Sequence, residues 1–254
     1  MNPPLQQWES KKVWIMGASS GIGWALAEAL HNAGAKVIVS ARSAQALQAF
    51  ESGHPGSAGI ALDVTDSAIF HAGAKQIWQA HGGFDVVVYC AGHYKAQQAF
   101  DYDLQEMLNH QQTNYIGALH FLSAVIPALL KQGHGHISLV ASVAGFRGLP
   151  NALAYGPTKA ALNNLSEVLY LDLRGKGLGV SVINPGFVKT PLTAQNQFTM
   201  PALITPEVAA QEIIRGWARG KFEIHFPKRF TLWLKFLQLL PHAWYFSIIK
   251  RVVR

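Results

Sequence analysis

No stretch of this chain restricts its fold more than residues 13–40. Val13-Trp14-Ile15-Met16 is an apolar run of strand length, Gly17-Ala18-Ser19-Ser20-Gly21-Ile22-Gly23 follows, and Trp24 to Leu30 reads as a helix. Gly34-Ala35 ends that helix, and Lys36-Val37-Ile38-Val39-Ser40 reads as the next strand. Together they form a βαβ unit of about thirty residues. A glycine-rich turn between strand and helix lets a backbone approach a phosphate closely. The helix N-terminus then offers free N–H groups and a positive dipole end to it. The alternative is a flexible loop whose glycines fall there by chance. The flanking strand and helix favour the nucleotide reading.

The rest of the chain is consistent with that beginning. With 254 residues, half of them hydrophobic, one large α/β domain has ample material for a core. Cys90 is the lone cysteine, which excludes an intramolecular disulfide and leaves no Cys-rich zinc cluster. Residues 1–12 are polar, carry Pro3 and Pro4, and contain no apolar run of signal-peptide length, so a cytoplasmic location is expected. The formal net charge of +7 is concentrated at one end: no Asp or Glu follows Glu223, whereas Lys228, Arg229, Lys235, Lys250, Arg251 and Arg254 do. That distribution argues against nucleic acid as a partner and for a local contact with something anionic.

Further strands read at Ile60–Val64, Phe84–Cys90, Gly135–Ser142 and Leu178–Gly186, and residues 104–130 carry a helical pattern containing Asn114. The second strand ends Ser40-Ala41-Arg42, with no acid to accept from a ribose 2′-OH. A guanidinium there can grip a 2′-phosphate with paired hydrogen bonds, so Arg42 points to NADP(H) rather than NAD. Asp66 is a better N-cap than Asp63 for the helix beginning near Ser67. Tyr155 and Lys159 are four apart, which on a helix stacks them on one face. A phenol titrates near ~10, and a fixed ammonium close by is expected to lower that value and make Tyr155 a usable acid/base. Pro157 is harmless in a first turn and disruptive later, so this helix should begin close to Tyr155, at the C-terminal ends of the strands.

The spacing Gly17-x-x-x-Gly21-x-Gly23, Ala91-Gly92, Ser142, Tyr155-x-x-x-Lys159 and Pro185-Gly186-x-x-x-Thr190, in this order, resembles the classical short-chain dehydrogenase/reductase family over residues 11–227. The resemblance implies a single Rossmann-like doubly wound parallel sheet with helices on both faces. It implies that Gly17, Ser19, Ser20, Gly21, Ile22 and Gly23 hold the cofactor phosphates, and that Asp63 and the Val64 N–H hold adenine. Ala91 and Gly92 would line the cofactor, and Pro185, Gly186, Val188 and Thr190 would lie along the nicotinamide. It further implies that Ser142 orients the substrate oxygen, Tyr155 exchanges the proton, Lys159 assists it and holds the ribose, and Asn114 supports a water relay. No metal is needed. The family is commonly dimeric or tetrameric, so a homodimer or homotetramer is expected. Four positions depart from the family pattern: Met16 replaces a Thr, Tyr89-Cys90 replaces Asn-Asn, and Ser20 stands where a second basic residue is common. Met16 and Cys90 are expected to pack together in place of a polar link between neighbouring strands.

Residues 192–204 are the variable substrate lid by the same resemblance. Phe198, Met200 and Leu203 in it suggest a hydrophobic small-molecule substrate or packing on the domain. After Phe226-Pro227 the character changes. Residues 230–240 and 243–249 are apolar runs separated by Pro241, each too short to span a bilayer. Residues 1–227 thus read as the catalytic domain. Residues 228–254 read as a tail of two short amphipathic basic helices suited to an anionic membrane surface, with an oligomer contact or a cleft cover as the alternative.

Overall fold

The computed structural model describes residues 1–196 and 199–252. Seven parallel strands form one sheet: β1 (Lys12–Met16), β2 (Lys36–Ala41), β3 (Ala58–Ala61), β4 (Val86–Tyr89), β5 (Gly135–Val140), β6 (Leu178–Pro185) and β7 (Glu223–Phe226). Their spatial order is β3-β2-β1-β4-β5-β6-β7, so the order reverses between β1 and β4. That reversal opens a crevice at the strand C-termini, where doubly wound sheets bind ligands. Helices α1 (Gly21–Asn32), α2 (Ala44–Gly53) and α7 (Pro206–Ala218) cover one face. Helices α3 (Ser67–His81), α4 (Leu104–His110), α5 (Gly117–Gln132) and α6 (Tyr155–Leu173) lie on the other.

The strands are apolar on both sides because both faces are covered. In β1, Val13 and Ile15 enter the core beneath α1, while Trp14 and Met16 enter the core beneath α3, α5 and α6. The third strand stops at Ala61, earlier than its apolar run, and leaves Leu62, Asp63 and Val64 at the crevice rim. Asp66, not Asp63, caps α3, accepting from the Ile69 N–H at 3.0 Å.

Met16 and Cys90 do not pack as a pair. Their side chains belong to cores on opposite faces of the sheet, because side chains alternate along a strand. What ties the strand ends together is the backbone, with the Cys90 N–H donating to the Met16 carbonyl at 2.7 Å.

Residues 228–252 form α8 (Lys228–Gln238) and α9 (His242–Val252), broken at Pro241 as the sequence requires. They are not a detached unit. Leu234, Leu237, Tyr245 and Ile249 share a small core with Val143, and Phe146, Leu149 and Phe230 pack against it. Lys235 pairs with Glu223 of β7.

Candidate active site

The glycine turn is built by close approach. Gly17 has φ +91°, and a Cβ there would lie 2.3 Å from the Ala91 nitrogen. A Cβ on Gly23 would lie 2.2 Å from the Gly17 carbonyl oxygen. Only glycine permits this packing of the turn against β4 and α1. Ser20, the N-cap of α1, makes no side-chain cap bond, and no acid occupies the first turn. The first amides of α1 therefore face the crevice with their dipole uncompensated. Ser19, Ser20, Gly21 and Ile22 line the crevice at this point. Thr190 lies over the turn, its Cγ2 only 2.9 Å from where a Gly21 Cβ would be.

The remaining residues expected at the cofactor line the same crevice. Arg42, Asp63 and Val64 form one end; Ala91 and Gly92 the floor; Pro185, Gly186, Val188 and Thr190 the far wall. Arg42 is exposed, and among the described residues it makes no hydrogen bond or ion pair. Asp63 turns one oxygen to Thr65, accepting from its N–H at 2.9 Å and its hydroxyl at 2.8 Å.

Ser142, Tyr155 and Lys159 also line this crevice. Tyr155 begins α6, with Pro157 in the first turn. The Ser142 hydroxyl lies near enough to the Tyr155 phenol to favour its charged form, and it donates to the Pro185 carbonyl at 3.5 Å. Ser142 caps a short turn at Val143–Gly145, accepting from the Ala144 N–H at 3.1 Å. Gly145 lets this turn touch α6: a Cβ there would meet the Lys159 carbonyl carbon at 2.6 Å. Lys159 is buried, and its Nζ donates to the Val140 carbonyl at 2.9 Å, 5.4 Å from the centre of the Tyr155 ring.

The electrostatics correct one expectation. Burial pushes the Tyr155 phenol up, opposed only in part by the nearby Ser142 hydroxyl. Burial likewise pushes Lys159 down, to about 8. The ammonium was expected to depress the phenol. Instead each group is desolvated by the same walls, and desolvation disfavours both charged forms.

Asn114 is fully buried behind the crevice, on a wide π turn (Gln111–Ile116) between α4 and α5. Its amide donates to the His93 carbonyl and to the Thr158 hydroxyl, each at 3.0 Å, and its oxygen accepts from the His93 N–H at 2.7 Å. The Thr158 hydroxyl donates to the Tyr155 carbonyl at 2.7 Å. Asn114 thus joins the strand β4 exit to the start of α6. Tyr89 supports the same turn from below, its hydroxyl donating to the Thr113 carbonyl at 2.5 Å.

Several neighbours carried no sequence signal beyond their residue type. Tyr94 meets the Tyr155 ring edge-on at 5.1 Å. Its hydroxyl donates to Asn196 at 3.1 Å, and Gln195 donates to its carbonyl at 2.6 Å, so residues 195–196 are anchored beside the phenol. Met200 is half-buried beside Asn196, Leu203 is exposed, and Phe198 lies outside the described residues. His93, Glu106 and His110 place ligand-type atoms within 4.8 Å of one another. Both nitrogens of His110 are engaged, Nδ1 with the Glu106 carbonyl at 2.8 Å and Nε2 with the Lys95 N–H at 3.1 Å. Burial pushes the Glu106 carboxyl up. The hydrogen bond from His93 and the charges of His93, His110 and Lys95 outweigh that and hold it below its ordinary value. A hydrogen-bonded group centred on an ionised carboxylate describes these contacts.

The chain as a whole is similar to known proteins. Residues 11–200 match the family described as short chain dehydrogenase. An uncharacterized oxidoreductase from Myxococcus xanthus is 35% identical over 243 residues, covering 94% of this chain and 96% of that one. An uncharacterized oxidoreductase from Staphylococcus aureus is 32% identical over 209 residues, 82% of this chain and 90% of the other. The crystal structure of a short-chain dehydrogenase from Streptomyces avermitilis superposes with a TM-score of 0.82 over 97% of this chain and 98% of that one, at 24% identity, which speaks to the fold.

Proposed function

Because the chain belongs to the short-chain dehydrogenase family, we propose that it is an NADP(H)-dependent oxidoreductase interconverting a carbonyl and a secondary alcohol on a hydrophobic, lipid-like substrate. The observation that carries this reading is the gathering of Ser142, Tyr155 and buried Lys159 on the wall of one crevice. The crevice fits a dinucleotide: its glycine cradle would be filled by any Cβ, and the amides of α1 face an anion site. The amides of residues 19–23 would hold the phosphates, and Asp63 with the Val64 N–H the adenine. When bound, the nicotinamide supplies or accepts the hydride.

The chain's own residues govern the proton. In the reductive direction Ser142 Oγ hydrogen-bonds the substrate carbonyl oxygen and orients it. Tyr155 Oη gives its proton to that oxygen as negative charge develops there. The resulting phenolate is stabilised by the Lys159 ammonium nearby, and Asn114 holds the start of α6 in place for the exchange. Oxidation runs these steps backwards.

Arg42, exposed at the adenine end and unpartnered among the described residues, supports NADP(H) over NAD. Arg42→Ala is expected to raise the KM for NADPH by tenfold or more, on the order of one lost charge-assisted pair, and to leave that for NADH nearly unchanged. Equal effects on both would remove the preference. Leu192 in the crevice wall and half-buried Met200 support an apolar substrate. Exposed Leu119 of α5 with Val168 and Leu171 of α6 support self-association through those helices.

The direct test is NADPH oxidation with a panel of long-chain ketones, run beside Tyr155→Phe. Turnover by the native chain that falls at least about a hundredfold in the variant, with nucleotide binding retained, is expected. Nucleotide binding without turnover in either protein would favour a binding protein that keeps the fold alone.

A further inference from the structure

The tail has two faces of different character. Its inner face is consumed. Leu234, Leu237, Tyr245 and Ile249 pack on Val143 and Leu149, the Tyr245 hydroxyl donates to the Gly148 carbonyl at 2.7 Å, and Arg147 stacks on the Tyr245 ring at 4.1 Å. Among the described residues the outer face has no such partner. On α8, Leu232, Trp233 and Phe236 stand exposed, and Leu239 at its C-cap is 83% exposed; on α9, Trp244 is 65% and Phe246 54% exposed. Lys228 and Arg229 open α8, Lys250 and Arg251 close α9, and all four are exposed.

We propose that this outer face docks the protein on an anionic lipid bilayer. Exposed Trp, Phe and Leu side chains flanked by cations match an interfacial helix pair, with the rings at headgroup depth and the cations at lipid phosphates. The charge pattern selects among occupants. No acid lies anywhere in the tail, so two copies meeting through this face would oppose their cations. A zwitterionic bilayer would leave those charges without partners. Lipid charge also gathers several cations at once, which a single short exposed apolar patch needs for stable attachment. Docking is joined to the crevice by the inner face: the loop that α8 and α9 grip, residues 143–149, leads directly from Ser142. A bound membrane would therefore lie one helix layer away from the loop that frames the active site. The docking itself is independent of catalysis and of the proposed substrate.

The test is co-sedimentation of the full chain with vesicles of phosphatidylcholine alone and of phosphatidylcholine mixed with phosphatidylglycerol. Binding to the mixed vesicles only, released by added salt, is expected. Lys250→Ala and Arg251→Ala should each weaken it about fivefold. Trp244→Ser with Phe246→Ser should weaken it by about tenfold or more. NADPH binding, measured on the same preparations, should be unchanged and shows that the variants remain folded. Failure of the native chain to sediment with anionic vesicles overturns the proposal. So does equal binding to neutral vesicles, unaltered binding by the variants, or a dimer that dissolves in the Trp244/Phe246 variant while vesicles are ignored.

Discussion

Tyr155 and Lys159 share walls that exclude water, and this sets the pH behaviour of the pair. With Lys159 titrating at about 8, the ammonium that would stabilise the phenolate is progressively lost above that pH. The kcat/KM for NADPH in the reductive direction is therefore expected to fall as pH rises through about 8. A flat profile across that range would remove Lys159 from the proton chemistry. A second buried base acts on stability alone. His136 is buried, accepts or donates to Ser181 at 2.9 Å, and is pushed down by burial from 6.5 to about 3. Between those values the unfolded chain holds a proton that the folded chain does not. Its contribution is complete above the unfolded value of 6.5 and is lost as pH falls toward 3. His136→Gln should flatten the acid limb of stability against pH, read by denaturant titration at stepped pH; an unchanged limb would show that other groups drive acid unfolding.

At the scale of elements, short irregular segments set the catalytic geometry that regular helices and strands then hold. The glycine turn is one. Gly17→Ala puts a Cβ at 2.3 Å from backbone at φ +91°, so a loss of about 1–3 kcal/mol from the conformation alone is expected. Nucleotide affinity should fall with it, as checked by thermal melting and fluorescence titration. Another is the loop after Ser142. Arg147 donates to the Leu237 carbonyl at 2.9 Å and the Leu240 carbonyl at 2.7 Å, satisfying the open C-terminal end of α8. Arg147→Ala should cost about 1–3 kcal/mol, chiefly from carbonyls left without their charged donor. It should also loosen residues 143–149 in hydrogen exchange while leaving β1 to β3 protected. The π turn is a third: by widening one turn it aims Asn114 inward from a helix otherwise packed through Phe121, Val125 and Leu129. Residues 104–132 are long and apolar enough to cross a membrane by composition, yet these side chains meet the sheet.

At the scale of the molecule, Asn2 near one end and helices α8 and α9 near the other are tied to the domain. The buried Asn2 amide donates to the Val180 carbonyl at 2.7 Å and its oxygen accepts from the Val180 N–H at 3.0 Å, binding the N-terminus to β6. The C-terminal helices cover Val143 and Leu149. A chain ending at Pro227 is therefore expected to melt several degrees lower and to aggregate, since it bares an apolar cluster beside the crevice; an unchanged melting curve would show that α8 and α9 are dispensable to the fold.

The sequence by itself determined what local periodicity and rigid backbone chemistry can encode. The βαβ start, six of the seven strands and the first turn of α6 at Pro157 were legible locally, while most of the residues expected at the crevice came from the family resemblance. Those local features rest on apolar spacing or on glycines and a proline with few allowed conformations. Tertiary structure alone decided the rest. β7 is four residues long and depends on β6 for its existence as a strand. Thr158 and Gly145 gained their positions from contacts with Asn114 and Lys159, and His93, Glu106 and His110 met through a turn no spacing announced. The raised Tyr155 and lowered Lys159 follow from how much water the fold excludes. A pattern of residue types says which surfaces will leave water; only the folded chain says what each then faces, and therefore what its charge costs.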